Sequence, residues 1–307
     1  MPRIPLSSRL AAPLLAPLRA RVEALMRPPH ARADDFSAPA GEPALTDADS
    51  VSWQVFKNPA TMFIGGVAAV LLELAEPRVR TGVWENTTFR TDPLPRMRRT
   101  AYAALLTVYG PRSRAQAMID GVTRRHARIA GHTPDGIEFR ALDDDLLAWV
   151  HATALYGFLE AWTRHVRPLP ASARDACVAE AQAAARLYGV AAPPACEADL
   201  ERLFARMRPR LEPSPIVREF LDIVLRMPAL PRPARPLQRW LVRAAVDCLP
   251  PWARERLGLD GPEWRLAGWR RRVVGLVARV ADRVPLPGHP ALEAARRMGR
   301  DGRALYR

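Results

Sequence analysis

From residue 51 to residue 283, nearly every segment of this 307-residue chain repeats its apolar side chains at every third or fourth position, then stops at proline or glycine. That period lines one face of an α-helix, whereas a half-buried strand requires strict alternation. A first core helix is expected over 60–75, opened by Asn58-Pro59 and stopped before Pro77. Others follow at about 96–109, closed by Gly110 and Pro111, and at 113–129, with Ser113 as N-cap and Gly131 as the stop. Asp143-Asp144-Asp145 places negative charge at the start of a long helix reaching Val166. Ser172 with Asp175 resembles a capping box for a helix ending at Gly189. Further helices are expected at 199–207, 215–226, 237–249 and 262–283. The stretch 78–95 lacks a period and reads as a long connection, and 136–141 is the one strand candidate, too short to found a sheet. The fold class expected is all-α, a single large helical domain over 46–307 behind a flexible basic Pro/Ala/Arg-rich arm and linker over 1–45.

Charge narrows the partners. The chain has 46 basic residues against 32 acidic, a net +14, and all the basic ones except Lys57 are arginine. Such a surface attracts anions. The excess is scattered, however, in Arg96/Arg98/Arg99, Arg124/Arg125/Arg128 and Arg270/Arg271/Arg272, without interleaved aromatics or zinc-finger spacing. No specific nucleic-acid partner is expected. Cys177, Cys196 and Cys248 form no C-x-x-C pair, which argues against a thioredoxin or structural zinc site and for a reducing, cytoplasmic setting. The longest apolar run, 60–75, includes Glu73 and falls short of the ~20 residues of a spanning helix, so it reads as a core helix. Near the N-terminus, Pro13 and Pro17 interrupt the apolar run and Arg19 ends it, against a signal peptide. Leu10, Leu14, Leu18, Val22 and Leu25 nevertheless repeat at helical spacing beside arginines, a pattern suited to peripheral membrane contact or to loose docking on the body.

The sequence contains no P-loop, no G-x-G-x-x-G, no G-x-S-x-G and no H-E-x-x-H. Catalysis on such a scaffold calls for a cofactor held between helices. Of the six histidines, His30, His126, His132, His151, His165 and His289, two stand out. His126 shares a stripe with Ile119, Val122 and Ile129, and His151 shares a face with Leu147, Leu155, Phe158 and Trp162. Each is open to two readings: an iron ligand, or a core imidazole hydrogen-bonded to a carbonyl. Spacing alone favours the second. His151 and His165 lie fourteen residues apart, roughly 21 Å along a helix, too far to share a metal. Gly65-Gly66 in mid-helix costs ~1 kcal/mol per glycine and permits close approach by another helix or by a flat macrocycle. Arg96-Met97-Arg98-Arg99-Thr100 opens its helix with three guanidinium groups, which a nearby anion would stabilise.

Taken in order, these pieces resemble the MpaB-type oxygenases, the heme-binding helical family that includes the bacterial latex-clearing proteins (rubber oxygenases). The matching segments are Phe63-Ile64-Gly65-Gly66-Val67-Ala68-Ala69, then Phe89-Arg90-Thr91-Asp92-Pro93 leading to Arg96 and Thr100, then Val122 to Gly131 around His126. Leu146-Leu147-Ala148-Trp149-Val150-His151-Ala152 and Leu249-Pro250-Pro251-Trp252 complete a likeness covering about 51–285. The resemblance implies a b-type heme with His126 as its axial ligand and dioxygen as co-substrate. It places Arg96, Arg99 and Thr100 on the oxygen-binding side, with Arg99 standing where the latex enzymes carry lysine, and Arg125 and Arg128 as propionate partners. Gly65, Gly66 and His151 complete the expected cofactor pocket, and no residue is matched to the glutamate base of some relatives. The activity implied is oxidative C=C cleavage or hydroxylation of a small hydrophobic substrate, isoprenoid, polyketide or lipid-like. A heme carrier or sensor without turnover, and a basic helical interaction protein without cofactor, are the alternatives.

Overall fold

Prolines and side-chain caps set where the helices begin. The computed structural model of the chain describes residues 24, 26–28 and 31–307; the apolar period from Leu10 to Leu25 and His30 lie outside the described residues. Ser50 caps α1 (Val51–Phe56) by accepting from the Trp53 amide. Asn58 caps α2 (Pro59–Glu73) by accepting from the amides of Ala60 and Thr61. The following helices are α3 (Pro77–Asn86), α4 (Pro93–Tyr109) and α5 (Arg112–His126). A small antiparallel hairpin, β1 (Ala130–His132) with β2 (Glu138–Arg140), leads to the long α6 (Asp144–His165). Then come α7 (Ala171–Glu180), α8 (Gln182–Leu187), α9 (Glu197–Met207), α10 (Pro215–Arg226), α11 (Arg235–Cys248), α12 (Pro251–Arg256), α13 (Gly268–Arg283) and α14 (Pro290–Arg297). The chain is all-α, as its period predicts.

Several local expectations change for physical reasons. The stretch 78–95 contains α3, whose N-terminus is closed by the Glu76 carboxylate accepting from the amides of Arg78 at 2.7 Å and Val79 at 2.9 Å. Its apolar positions are too few to register as a period. The 113–129 helix begins without a Ser113 cap and ends at His126, because the chain turns into the hairpin, where Gly131 sits opposite Phe139. The capping box at Ser172 does not form: Pro170 opens α7 without a side-chain bond, and Asp175 accepts from the Glu197 amide at 2.8 Å. The helix expected to reach Gly189 is divided at Ala181 into α7 and α8, and the last long helix starts at Gly268, six residues later than expected. The expected linker is packed rather than free, because Phe36 is fully buried and Arg297 donates to the carbonyls of Phe36, Glu42 and Tyr109 at 2.7–2.9 Å.

The most extensive packing joins α2 to α6. Their backbones meet at glycine: a Cβ built on Gly65 would lie 2.7 Å from both the Gly157 carbonyl and the Phe158 Cα, and one on Gly157 would collide with the Gly65 carbonyl. Trp149 secures the same seam, donating from Nε1 to the Leu72 carbonyl at 3.2 Å. Gly66 turns another way, since a Cβ there would meet only Phe158 Cε1, at an ordinary 3.8 Å.

The two neighbouring glycines therefore behave oppositely on substitution. Gly65→Ala is expected to destabilise by about 1–3 kcal/mol through overpacking against backbone that cannot yield. Gly66→Ala is expected to be neutral or to stabilise by up to ~1 kcal/mol through helix propensity. Urea unfolding of both variants checks this, and equal effects would contradict the assigned contact.

Candidate functional site

Small side chains create space where α2, α4, α5 and α6 converge. The inner face of α4 reads Arg96, Thr100, Ala103 and Thr107, at i, i+4, i+7 and i+11, and the three short residues after Arg96 border a cavity of about 1800 Å³. Phe63, Gly66, Val70 and Glu73 of α2 form a second wall. The facing walls come from Leu147, His151, Ala154 and Phe158 of α6, and from Val122, Arg125 and His126 of α5. The lining is overwhelmingly apolar; Glu73, Arg96, Arg98, Arg99 and Arg125 gather on α4, α5 and the end of α2, and Arg32, Asp35 and Arg78 line it elsewhere. Arg99, Thr100 and Arg125 are exposed as well as lining, so the cavity opens beside them.

His126 is the last residue of α5 and half-buried, and its ring makes no hydrogen bond among the described residues. Burial, then the neighbouring Arg125 and Arg96 guanidinium groups, hold its pKa below the ordinary value, keeping the imidazole neutral and able to ligate. On α6, His151 has a buried Nε2 without a partner, and burial lowers its pKa to about 4. Both imidazoles thus face one cavity as neutral rings with a free nitrogen. His165 is elsewhere: it is buried with Nε2 4.0 Å from Cys248 Sγ and does not line the cavity. His132 pairs within the hairpin.

The sequence reading passed over His289, which also lines the cavity. Its Nδ1 accepts from the Ala291 amide at 3.1 Å as the cap of α14, so in the neutral ring Nε2 carries the proton and has no lone pair for a metal. Among the described residues, no cluster of three or more His, Cys, Asp or Glu side chains is arranged to hold a bare metal ion. A cofactor that needs only one protein ligand escapes that restriction.

Glu73 is the other residue whose part was not read. Its carboxyl closes an otherwise apolar helix and lines the cavity, half-buried. Burial raises its pKa to about 7, against the opposing pull of the Arg96 charge and a Thr153 hydrogen bond. Arg96 is itself buried enough to lower its pKa, and it donates to Thr100 Oγ1. Arg99 turns outward and donates to Thr88 Oγ1 at 3.2 Å. Of the remaining expected residues, Gly66 and Arg125 reach the cavity, whereas Gly65 is occupied by the α6 backbone and Arg128 is exposed away from the lining. The clue to Glu73 was its isolation: one acid inside a sixteen-residue apolar run must be buried or must end the helix, and Glu73 ends the helix while half-buried at the cavity wall.

Residues 53–282, most of the chain, match the family described as ER-bound oxygenase mpaB/B'/Rubber oxygenase, catalytic domain. That span contains α2, α4, α5 and α6. No curated protein and no solved structure matches the chain.

The Glu73 carboxyl makes stability depend on pH in a defined direction. From its ordinary 4.5 up to about 7, the folded chain holds a proton that the unfolded chain has released, so stability falls as pH rises through that window. Glu73→Gln removes this loss: the variant is expected to match the parent near pH 4 and to exceed it at pH 8 by about 1–3 kcal/mol. Chemical denaturation at both pH values checks this; parallel pH profiles would show that the carboxyl is already ionised.

Proposed function

The chain belongs to the mpaB/rubber oxygenase catalytic-domain family, and on that premise we propose that it is a heme b-dependent oxygenase acting with dioxygen on a small hydrophobic substrate. Isoprenoid, polyketide and lipid-like chains are the substrate classes in question, and oxidative C=C cleavage or hydroxylation the reaction. The observation that carries the reading is the neutral His126 imidazole, without a hydrogen-bond partner among the described residues, on the wall of a cavity near 1800 Å³. Ligand pockets commonly measure ~300–1,000 Å³, so this one has room for a macrocycle and an apolar substrate together.

The donor set suits that group. His126 offers an uncharged nitrogen lone pair, the form in which imidazole ligates iron. Gly66 lacks the Cβ that would intrude on a flat ring, and Arg125 at the rim supplies a guanidinium for a propionate. When bound, heme would supply the iron chemistry that activates dioxygen.

The surrounding residues prepare the substrate side. The apolar walls exclude water and receive a hydrocarbon chain by desolvation alone. Arg96, close enough to affect Glu73 electrostatically and bonded to Thr100, sets fixed positive charge and a hydroxyl near that side. Glu73, poised to hold or release a proton near neutrality, is the carboxyl that α2 presents to this cavity and is the group we assign to proton movement. A carrier or sensor would have no need of such a titrating acid beside the ligand space.

Optical spectroscopy of heme-reconstituted protein tests the assignment. The parent is expected to show a Soret band, His126→Ala to lose it, and His151→Ala to retain it with at most a shifted maximum. Loss only on changing His151 would move the ligand to α6, and a parent without any Soret band would overturn the heme reading.

A further inference from the structure

Six large apolar side chains are well exposed among the described residues, and four belong to one helix and its C-cap. Trp269, Leu276, Val280 and Val284 are 54%, 57%, 52% and 46% exposed, at i, i+7, i+11 and i+15 of α13. This spacing puts them in one row along the helix. Arg272, Arg279 and Arg283 repeat at i, i+7 and i+11 and form a second row beside the first. All three arginines are exposed, and none pairs with a carboxylate among the described residues. The opposite face is anchored. Asn58 Nδ2 donates to the Ala278 carbonyl at 2.9 Å, Lys57 Nζ lies 3.2 Å from an Asp282 oxygen, and Trp162 Nε1 donates to Asp282 Oδ1 at 3.1 Å. The helix is therefore fixed with its apolar row outward.

That row also borders the cavity: Leu276, Val280 and Val284 line it while remaining exposed, so the space opens at α13 as well as at the arginine rim. Trp269 stacks edge-on against Trp240 at 5.2 Å, adding an aromatic pair at one end of the row. No helix among the described residues is by itself long and apolar enough to cross a membrane.

We propose that the outer face of α13 docks on an anionic lipid surface, placing the apolar mouth of the cavity against the bilayer. A helix of this kind lies in the interface with its apolar row sunk among the acyl chains and its arginines at the headgroups. Charge selects the occupant. The chain's own leader carries Arg3, Arg9, Arg19 and Arg21 with no acid before Glu23, so it shares the sign of the α13 row. A second copy would bring the same arginine row against it. An anionic lipid surface complements both rows at once, and it is also a phase from which a hydrophobic substrate can enter without crossing water.

Vesicle co-sedimentation of the full chain tests this, using phosphatidylcholine alone and an equal mixture with phosphatidylglycerol. Binding is expected to the mixed vesicles and to weaken steeply as salt is raised. Leu276→Ser/Val280→Ser and, separately, Arg272→Glu/Arg279→Glu/Arg283→Glu are each expected to lower partitioning by more than about tenfold. Their circular dichroism melts should match the parent, because the changed side chains face outward. Arg9→Glu/Arg19→Glu should keep most of the binding. The proposal is overturned if the α13 variants bind like the parent, if the leader variant alone abolishes binding, or if the parent fails to sediment. It is overturned equally if light scattering shows a parent dimer that Leu276→Ser/Val280→Ser converts to monomer. Vesicle binding is read without reference to the Soret band, so this inference and the heme assignment stand or fall separately.

Discussion

The approach of two helix backbones at Gly65 and Gly157 governs where everything else can lie. With no Cβ on either side, α2 and α6 close to a distance that any larger residue would prevent, and Trp149 then donates across the seam to Leu72. The rotation of α2 that presents Gly65 to α6 turns Gly66 and, seven residues on, Glu73 toward the space beside α4. The same contact fixes His151, six residues before Gly157, on the facing wall. One steric permission therefore settles the orientation of three groups that otherwise have nothing in common.

Within that frame, desolvation does more than any single charge. It neutralises His126 and His151, raises Glu73 toward neutrality and moderates Arg96. In water these groups would be largely ordinary. Brought into one apolar cavity they become a free imidazole nitrogen, a proton carrier near its midpoint and a fixed positive charge, which are the elements an oxygenase of this family can use. The cavity's openings have opposite characters, guanidinium groups at the ends of α4 and α5 and a hydrophobic row on α13. Polar cofactor edges and apolar substrates thus have separate sides to face.

Much of the scaffold could be read from local pattern. Asn58-Pro59 marks the start of α2 through bonds confined to a few neighbouring residues, Asp143-Asp144-Asp145 marks the start of α6, and both helices begin where expected. The strand candidate over 136–141 holds β2, but Glu76 as the cap of α3 and the partner strand β1 that ends α5 at His126 were missed, because a glutamate is an uncommon N-cap and β1 has only three residues, Ala130-Gly131-His132, with too little alternation to register. In the site, the histidine stripe on α5 and the arginine-threonine segment on α4 were visible as patterns. The meaning of Glu73 was not, since the same letter in an apolar run fits a buried acid and a solvated helix end equally well.

The amino-acid order by itself determined the all-α class, most helix spans and the shortlist of imidazoles and guanidinium groups, because helical period and capping act over one or two turns. Only tertiary packing decided that Gly65 serves a neighbouring helix while Gly66 serves the cavity. It also decided that His289 is tied up by a cap while His126 is not, and that α13 shows an apolar face to the outside. These outcomes depend on which distant segment arrives at a given face, and no local interaction encodes that arrival.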